Sequence, residues 1–236
     1  MWYHAEGVEP YWEPPELEEI TSGEWKYRGR TEHEINCHIE DVPENGADVA
    51  HLPQVHGPIM TSGIDLRYTY SKMWSFAKHH WDGYWTASME EGEKHIGTLA
   101  LTHTMSLFGI HIPILDMHVK ARQMGPGIVY LTFSSPIGSG VYLHHVTPLE
   151  PLKQRMIHQI YFTHYVPAIV PKFFLLAEAL MVERDIMIWN NKRYEGKPVL
   201  VKSDSDSLLM RHRRWYSQFY SEHSPRLNFH KESLDW

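Results

Sequence analysis

Ile96-Gly-Thr-Leu-Ala-Leu-Thr-His-Thr-Met-Ser-Leu-Phe108, Ile114-Leu-Asp-Met-His-Val-Lys-Ala-Arg122, Ile128-Val-Tyr-Leu-Thr-Phe133 and Val141-Tyr-Leu-His-His-Val146 follow one another along this chain. Each run is rich in β-branched and aromatic side chains, and Gly109, Gly125-Pro-Gly127 and Gly138 punctuate them, the pattern of consecutive antiparallel strands. Trp74 to Trp85 extends the series upstream and Pro151 to Tyr165 downstream. Further out, Glu24 to Ile39 alternates loosely around Gly29 and predicts two short strands. Asp41 suits an N-cap, Pro43 a first turn and Glu44 the positive end of a helix dipole, so a helix is expected from residue 43 to the mid-50s. Beyond the strands, Phe174, Leu175, Ala179, Val182, Ile186 and Trp189 form a helical stripe within 171–191. A Ser/Asp loop from Ser203 to Ser207 then leads to a last amphipathic helix over Arg211 to Glu222. Strands and a helix, a long meander, then helices make an α+β layout.

Composition narrows the function classes. The chain has 236 residues, a net charge of -7, 42% hydrophobic and 22% charged residues, 18 histidines and one cysteine, enough for one large domain with its own core. An acidic balance argues against non-specific nucleic-acid binding, which needs a surplus of Lys and Arg. The single Cys37 excludes an internal disulfide, a four-cysteine zinc site and a cysteine-ligated iron–sulfur cluster, and a reducing, intracellular setting fits it. Neither a signal peptide nor a membrane-spanning run can be read. The opening, with Pro10, Pro14 and Pro15 among acidic residues, has the texture of an inter-domain linker.

The segment that carries chemistry is Glu44-Asn-Gly-Ala-Asp48-Val-Ala-His51-Leu-Pro-Gln-Val-His56. With so many histidines a His-x4-His pair arises about once by chance, and His33 with His38 is such a pair, lacking acids at the matching upstream positions. Asp48 three residues before His51, with Glu44 seven before, makes the composite informative. On a regular helix residues five apart stand about 140° apart around the axis, so both imidazoles reach one metal only if the helix loosens. Pro53 between them is expected to loosen it. Two histidines and one carboxylate with open positions suit non-haem Fe(II).

These residues resemble the mononuclear iron motif of the Rieske-type non-haem iron oxygenases. Trp2-Tyr-His-Ala-Glu6, Gly23-Glu-Trp-Lys-Tyr-Arg-Gly29 and Arg213-Arg-Trp-Tyr-Ser-Gln-Phe-Tyr220 look like the cholesterol 7-desaturases of the Neverland type, related to the 3-ketosteroid 9α-hydroxylases. The resemblance implies a curved antiparallel sheet gripping a long C-terminal helix, a START-like catalytic domain. It implies that His51, His56 and Asp185 hold mononuclear Fe(II), Asp185 being the match on Val182-Glu-Arg-Asp-Ile-Met-Ile-Trp189 and Glu183 the alternative carboxylate. The bland alternative for Asp185 is an exposed carboxylate paired with Arg184 or Lys192. Asp48 matches the bridging carboxylate between an iron-ligating histidine and a cluster-ligating histidine of a neighbouring subunit, and Glu44 and Asn45 match polar positions that support the ligands.

The implied reaction is O2-dependent conversion of cholesterol to 7-dehydrocholesterol, with hydroxylation of a steroid or a non-catalytic sterol-binding role as alternatives. The 2Fe–2S cluster of the family needs Cys-x-His and Cys-x2-His, which one cysteine cannot supply. Residues 1–23 are therefore expected to be the remnant of a linker from a missing Rieske domain, and 24–236 the mononuclear-iron catalytic domain. A shortened product, or a subunit fed by another protein, would explain this. Electrons are expected from a Rieske domain or a ferredoxin and reductase, with NAD(P)H as the indirect source. A homotrimer and, for full-length members, the endoplasmic reticulum membrane complete what the resemblance implies. Adjacent strand histidines, His79-His80 and His144-His145, should face opposite ways, and His103, His111 and His118 are given no role. Met105, Phe108, Met117, Tyr130, Phe133, Phe173 and Phe174 suit either a core or an apolar cavity, and Arg211-His-Arg-Arg214 a solvated face.

Overall fold

A computed structural model describes residues 4–194 and 203–225; Trp2 and Tyr3 of the family-like words lie outside them. The elements run α1(Glu18–Thr21), β1(Trp25–Ile35), α2(Asp41–Glu44), α3(His51–Val55), β2(Ala77–Ala87), β3(Ile96–Leu107), β4(Ile110–His111), β5(Met117–Met124), β6(Ile128–Ser135), β7(Gly138–Glu150), β8(Lys153–Thr163), α4(Ile169–Trp189) and α5(Asp204–Tyr216). One antiparallel sheet takes the order β1-β8-β7-β6-β5-β3-β2, with β4 on β3. The meander expected from the sequence is therefore real, and β1 closes onto its last strand. The sheet curls around α4, the layout that the resemblance implied.

Three expectations change. Glu24 to Ile39 holds one strand instead of two, because Gly29, at φ +149°, absorbs a register shift after Tyr27 without ending the ladder. A Cβ at Gly29 would also come within 3.0 Å of Leu175 Cδ2, so the bare backbone lets α4 lie close to β1. The single helix expected from residue 43 is two short ones, α2 and α3, because Asn45-Gly46 is a turn dipeptide that stops the first. The Ser/Asp loop is the start of α5: Ser203 Oγ accepts from the Asp206 N–H at 3.1 Å, and Asp204 and Asp206 lie at the positive end of the helix.

Packing of α4 on the concave face of the sheet creates the core. Phe133, Tyr142, Ile160 and Phe162 from the strands surround Leu175, with the Phe174 ring 5.8 Å from Phe133 and 5.4 Å from Phe162. Further along, Val182, Ile186 and Trp189 pack on Ile35, Cys37 and Met156. Burial pushes the Cys37 thiol up to about 12, so it serves as a small apolar group. A third cluster seats Trp215 and Tyr216 of α5 against Ala47, Trp85 and Leu99. The basic run before them is divided: Arg211 and Arg214 are exposed as expected, whereas His212 is fully buried and Arg213 pairs with Glu44. The proline-rich opening lies on the domain, with Trp12 stacked on His95 at 4.7 Å. Among the described residues no helix is long and apolar enough to cross a membrane.

Phe133→Ala should lower unfolding stability by about 3–5 kcal/mol, measured as a shift in the urea midpoint, because it empties the contact between sheet and helix.

Candidate metal centre

His51 opens α3 and His56 is the residue at which α3 ends, with φ -106° and ψ 3°. The expected loosening comes from this early end. Pro53 sits in the first turn, where a missing N–H breaks no helical bond. The two rings meet edge to face, with centroids 5.1 Å apart. His51 Nδ1 is bound to the Asp48 carbonyl oxygen; donating there, the ring directs its Nε2 lone pair elsewhere. Two backbone contacts fix His56: its N–H donates to Leu52 O at 2.8 Å, and Trp81 Nε1 donates to its carbonyl at 3.2 Å. A Cβ at Gly57 would collide with the Pro53 carbonyl oxygen, so the chain can turn this tightly after His56 only with glycine.

Asp185 arrives from α4, buried, with Oδ1 3.2 Å from His56 Nε2. Ligand atoms of His51, His56 and Asp185 all lie within 4.8 Å of one another. Burial holds the His51 imidazole below its ordinary range, which keeps it neutral and able to ligate. Glu183, the alternative carboxylate, turns the other way and pairs with His33 at 2.9 Å. Two imidazoles and one carboxylate that converge in a buried site and border a cavity fit a facial non-haem iron centre.

Arg184 does not pair with Asp185 at the surface. It is wholly buried, and its guanidinium donates to Gly63 O at 3.0 Å, Val55 O at 3.2 Å, Pro58 O at 2.9 Å, Ile59 O at 2.9 Å and Ser62 Oγ at 3.1 Å. One side chain of α4 thus holds the segment after α3, and His56 with it, against the helix that carries Asp185.

The three residues line one cavity of about 650 Å³ between the sheet and α4, walled mainly by apolar groups including Leu101, Met105, Met117, Leu131, Phe173 and Phe174. Its size and apolar walls are those of a small-molecule site.

Residues 1–220 match the family model described as the 3-ketosteroid 9α-hydroxylase C-terminal domain. The chain belongs to this family. Among its relatives, cholesterol 7-desaturase nvd of Xenopus laevis is 53% identical over all of this chain and 52% of its own length. The nvd protein of Hemicentrotus pulcherrimus is 46% identical over all of this chain and 50% of its own length, and the cholesterol 7-desaturase of Caenorhabditis elegans 43% over all of this chain and 56% of its own. The chain thus spans about half the length of the relatives it matches. Dicamba monooxygenase bound to dicamba shares the fold at TM-score 0.56 and 11% identity, covering 87% of this chain and 61% of that one. Pseudomonas putida NdmA with caffeine does so at TM-score 0.56 and 11% identity, over 86% and 54%.

Within this 3-ketosteroid 9α-hydroxylase-type domain the other expected residues take separate places. Asp48 is half-buried; its carbonyl meets His51, while its carboxylate has no hydrogen-bond partner among the described residues. Asn45 borders the cavity at the end of α2. Glu44 turns away from it to Arg213, with NH2 to Oε1 2.9 Å, and ties α2 to α5. As alternation requires, His79 and His144 line the cavity while His80 and His145 do not. His103 is there too, bridging to His79 at 2.8 Å. Sequence reasoning missed Arg184, whose partners are mostly backbone carbonyls and carry no residue signature.

Arg184→Met should weaken Co(II) binding by about tenfold or more while the fold survives, because the His56 segment loses its tether; Arg184→Lys, a point charge without the fork, should recover only part of it. Visible absorption of the Co(II) form reads both. Burial also holds His79 and His144 down to about 3 and His103 and His212 to about 4. Unfolded histidines take up protons near pH 6.5 while these do not, so the unfolded state binds more protons below that pH. Stability is expected to be highest near pH 7 and to fall from about pH 6.5 toward 4, by up to about 1.4 kcal/mol per pH unit for each such histidine. Urea midpoints at pH 7.5 and 5.5 test the sign.

Proposed function

We propose that this chain is the iron-binding, sterol-binding half of a cholesterol 7-desaturase. His51, His56 and Asp185 would hold one Fe(II), and the observation that carries the reading is their convergence in a buried pocket on a wall of a mainly apolar cavity. The names of relatives up to 53% identical support the sterol and the reaction. Bound iron would supply oxygen activation. The balance is removal of two hydrogens from adjacent sterol carbons, with O2 and two electrons and two protons giving two waters; NAD(P)H is the electron source through a reductase and a 2Fe–2S Rieske centre.

The chain's own residues bind and orient. Apolar walls take up the fused rings and exclude water, which a buried oxidising site requires. The His51 ring is held by the Asp48 carbonyl, so its free nitrogen is fixed in direction. The unengaged Asp48 carboxylate, three residues before His51 in the chain, suits a bridge to a cluster-ligating histidine of a neighbouring Rieske domain, as a homotrimer would place it. A substrate this insoluble supports action at an intracellular membrane.

Wild-type chain should take up one Fe(II) and, given a Rieske donor, reductase, NADH and O2, form 7-dehydrocholesterol. His51→Ala and Asp185→Ala should each lose iron and turnover together. Full iron in the double variant would sink the assignment, and a hydroxysterol as sole product would replace desaturation by hydroxylation.

A further inference from the structure

The same cavity contains a second polar cluster that the metal centre does not use. His144 on β7 and His158 on β8 are direct cross-strand partners, and their rings stack at 3.8 Å with 3° between the planes. Glu178 of α4 faces both: its Oε1 lies 3.4 Å from His158 Nδ1 and 3.7 Å from His144 Nε2. His158 is 1% exposed. Both of its ring nitrogens, and His144 Nε2, are buried without a hydrogen-bond partner among the described residues. Buried polar atoms in folded proteins are nearly always partnered, and all three side chains line the cavity, so their partner is to be sought in its contents.

Chemistry selects that partner. A metal ion needs ligand lone pairs that converge on one point, whereas parallel stacked imidazoles send theirs out side by side. A fixed cation or anion has no counterpart either: burial holds His144 at about 3 and His158 well below its ordinary range, and it lifts Glu178 to about 7, so the cluster is largely neutral. Neutral imidazoles and a carboxyl that can carry a proton together offer donors and acceptors. A neutral hydroxyl, itself donor and acceptor, answers them. The other histidine pair in the cavity, His79 and His103, is already bonded to each other at 2.8 Å and has less need of a ligand.

Position agrees with this choice. Glu178 and Asp185 are seven residues apart on α4, which places them on the same side of the helix about 10 Å apart along its axis. That is the scale on which one fused-ring sterol, with its second ring at the metal ligands, would hold out a hydroxyl from its first ring. Resting on the sterol reading, we propose that His144, His158 and Glu178 receive the 3-hydroxyl of the substrate and so set which ring carbon faces His51, His56 and Asp185. They are positioning residues; none of them belongs to the metal centre.

The test is equilibrium binding to the full chain, read by tryptophan fluorescence, of cholesterol and of 5-cholestene, the same hydrocarbon without the hydroxyl, both presented from methyl-β-cyclodextrin. Wild-type chain should prefer cholesterol by about tenfold, the worth of one well-made hydrogen bond. In His158→Phe and Glu178→Leu the preference should fall below about twofold while 5-cholestene still binds, and Glu178→Gln should retain most of it. Equal affinity of the wild type for the two sterols, which needs no variant to be read, overturns the proposal and leaves the sterol reading standing; so does a preference unchanged in both variants. If neither sterol binds the wild type, the sterol reading itself fails, and this proposal with it.

Discussion

The buried guanidinium of Arg184 is the contact on which the rest depends. A charge taken out of water is tolerable only when its donors are satisfied, and here four carbonyls and one hydroxyl of residues 55–63 satisfy them. Because those acceptors are backbone, the bond set fixes the course of the chain and leaves its side chains free. That course leaves α3 at His56 and runs along α4, so one residue converts the packing of a loop on a helix into a distance between His56 and Asp185. Lysine has the charge but lacks the planar fork that serves several acceptors at once.

Around this clamp the outer elements work as buttresses. Asp41 takes bonds from Lys192 and Tyr194, just beyond α4, and Glu44 takes Arg213 from α5. The polar positions flanking the metal residues thus divide into two groups. Asn45 borders the cavity, whereas Asp41 and Glu44 turn away from it and tie α2 to its neighbours. The sheet contributes stiffness: a long run of paired strands deforms little, so the cavity walls from β3, β5, β6 and β7 keep their spacing as α4 packs across them.

What could be read from the sequence was local. The meander showed in its turn residues, and Asp48, His51 and His56 announced themselves because they lie within one short stretch. What escaped was set by register and by partners far along the chain. His144 and His158 meet because the β7–β8 ladder pairs them, which no spacing rule reveals. Glu44, which the resemblance puts beside the ligands, takes its bond from Arg213, 169 positions away. The expected long helix failed for a plainer reason: Asp41, Pro43 and Glu44 signal a start, and the Asn-Gly pair that follows them stops it.

Asp185 and Glu178 lie on one uninterrupted helix, and that has an evolutionary consequence. Their separation is set by the helical pitch: displacing either station by a single residue swings it about 100° around the axis. Small adjustments of reach on this wall therefore come with a large change of direction. On the proposed sterol reading, a descendant that kept both directions but attacked a different carbon would have to move one station by about a whole turn, or recruit its polar anchor from the sheet, where steps of two residues keep a side chain on the same face. Regiochemistry on such a scaffold should diversify through the strands while the helix stays as it is.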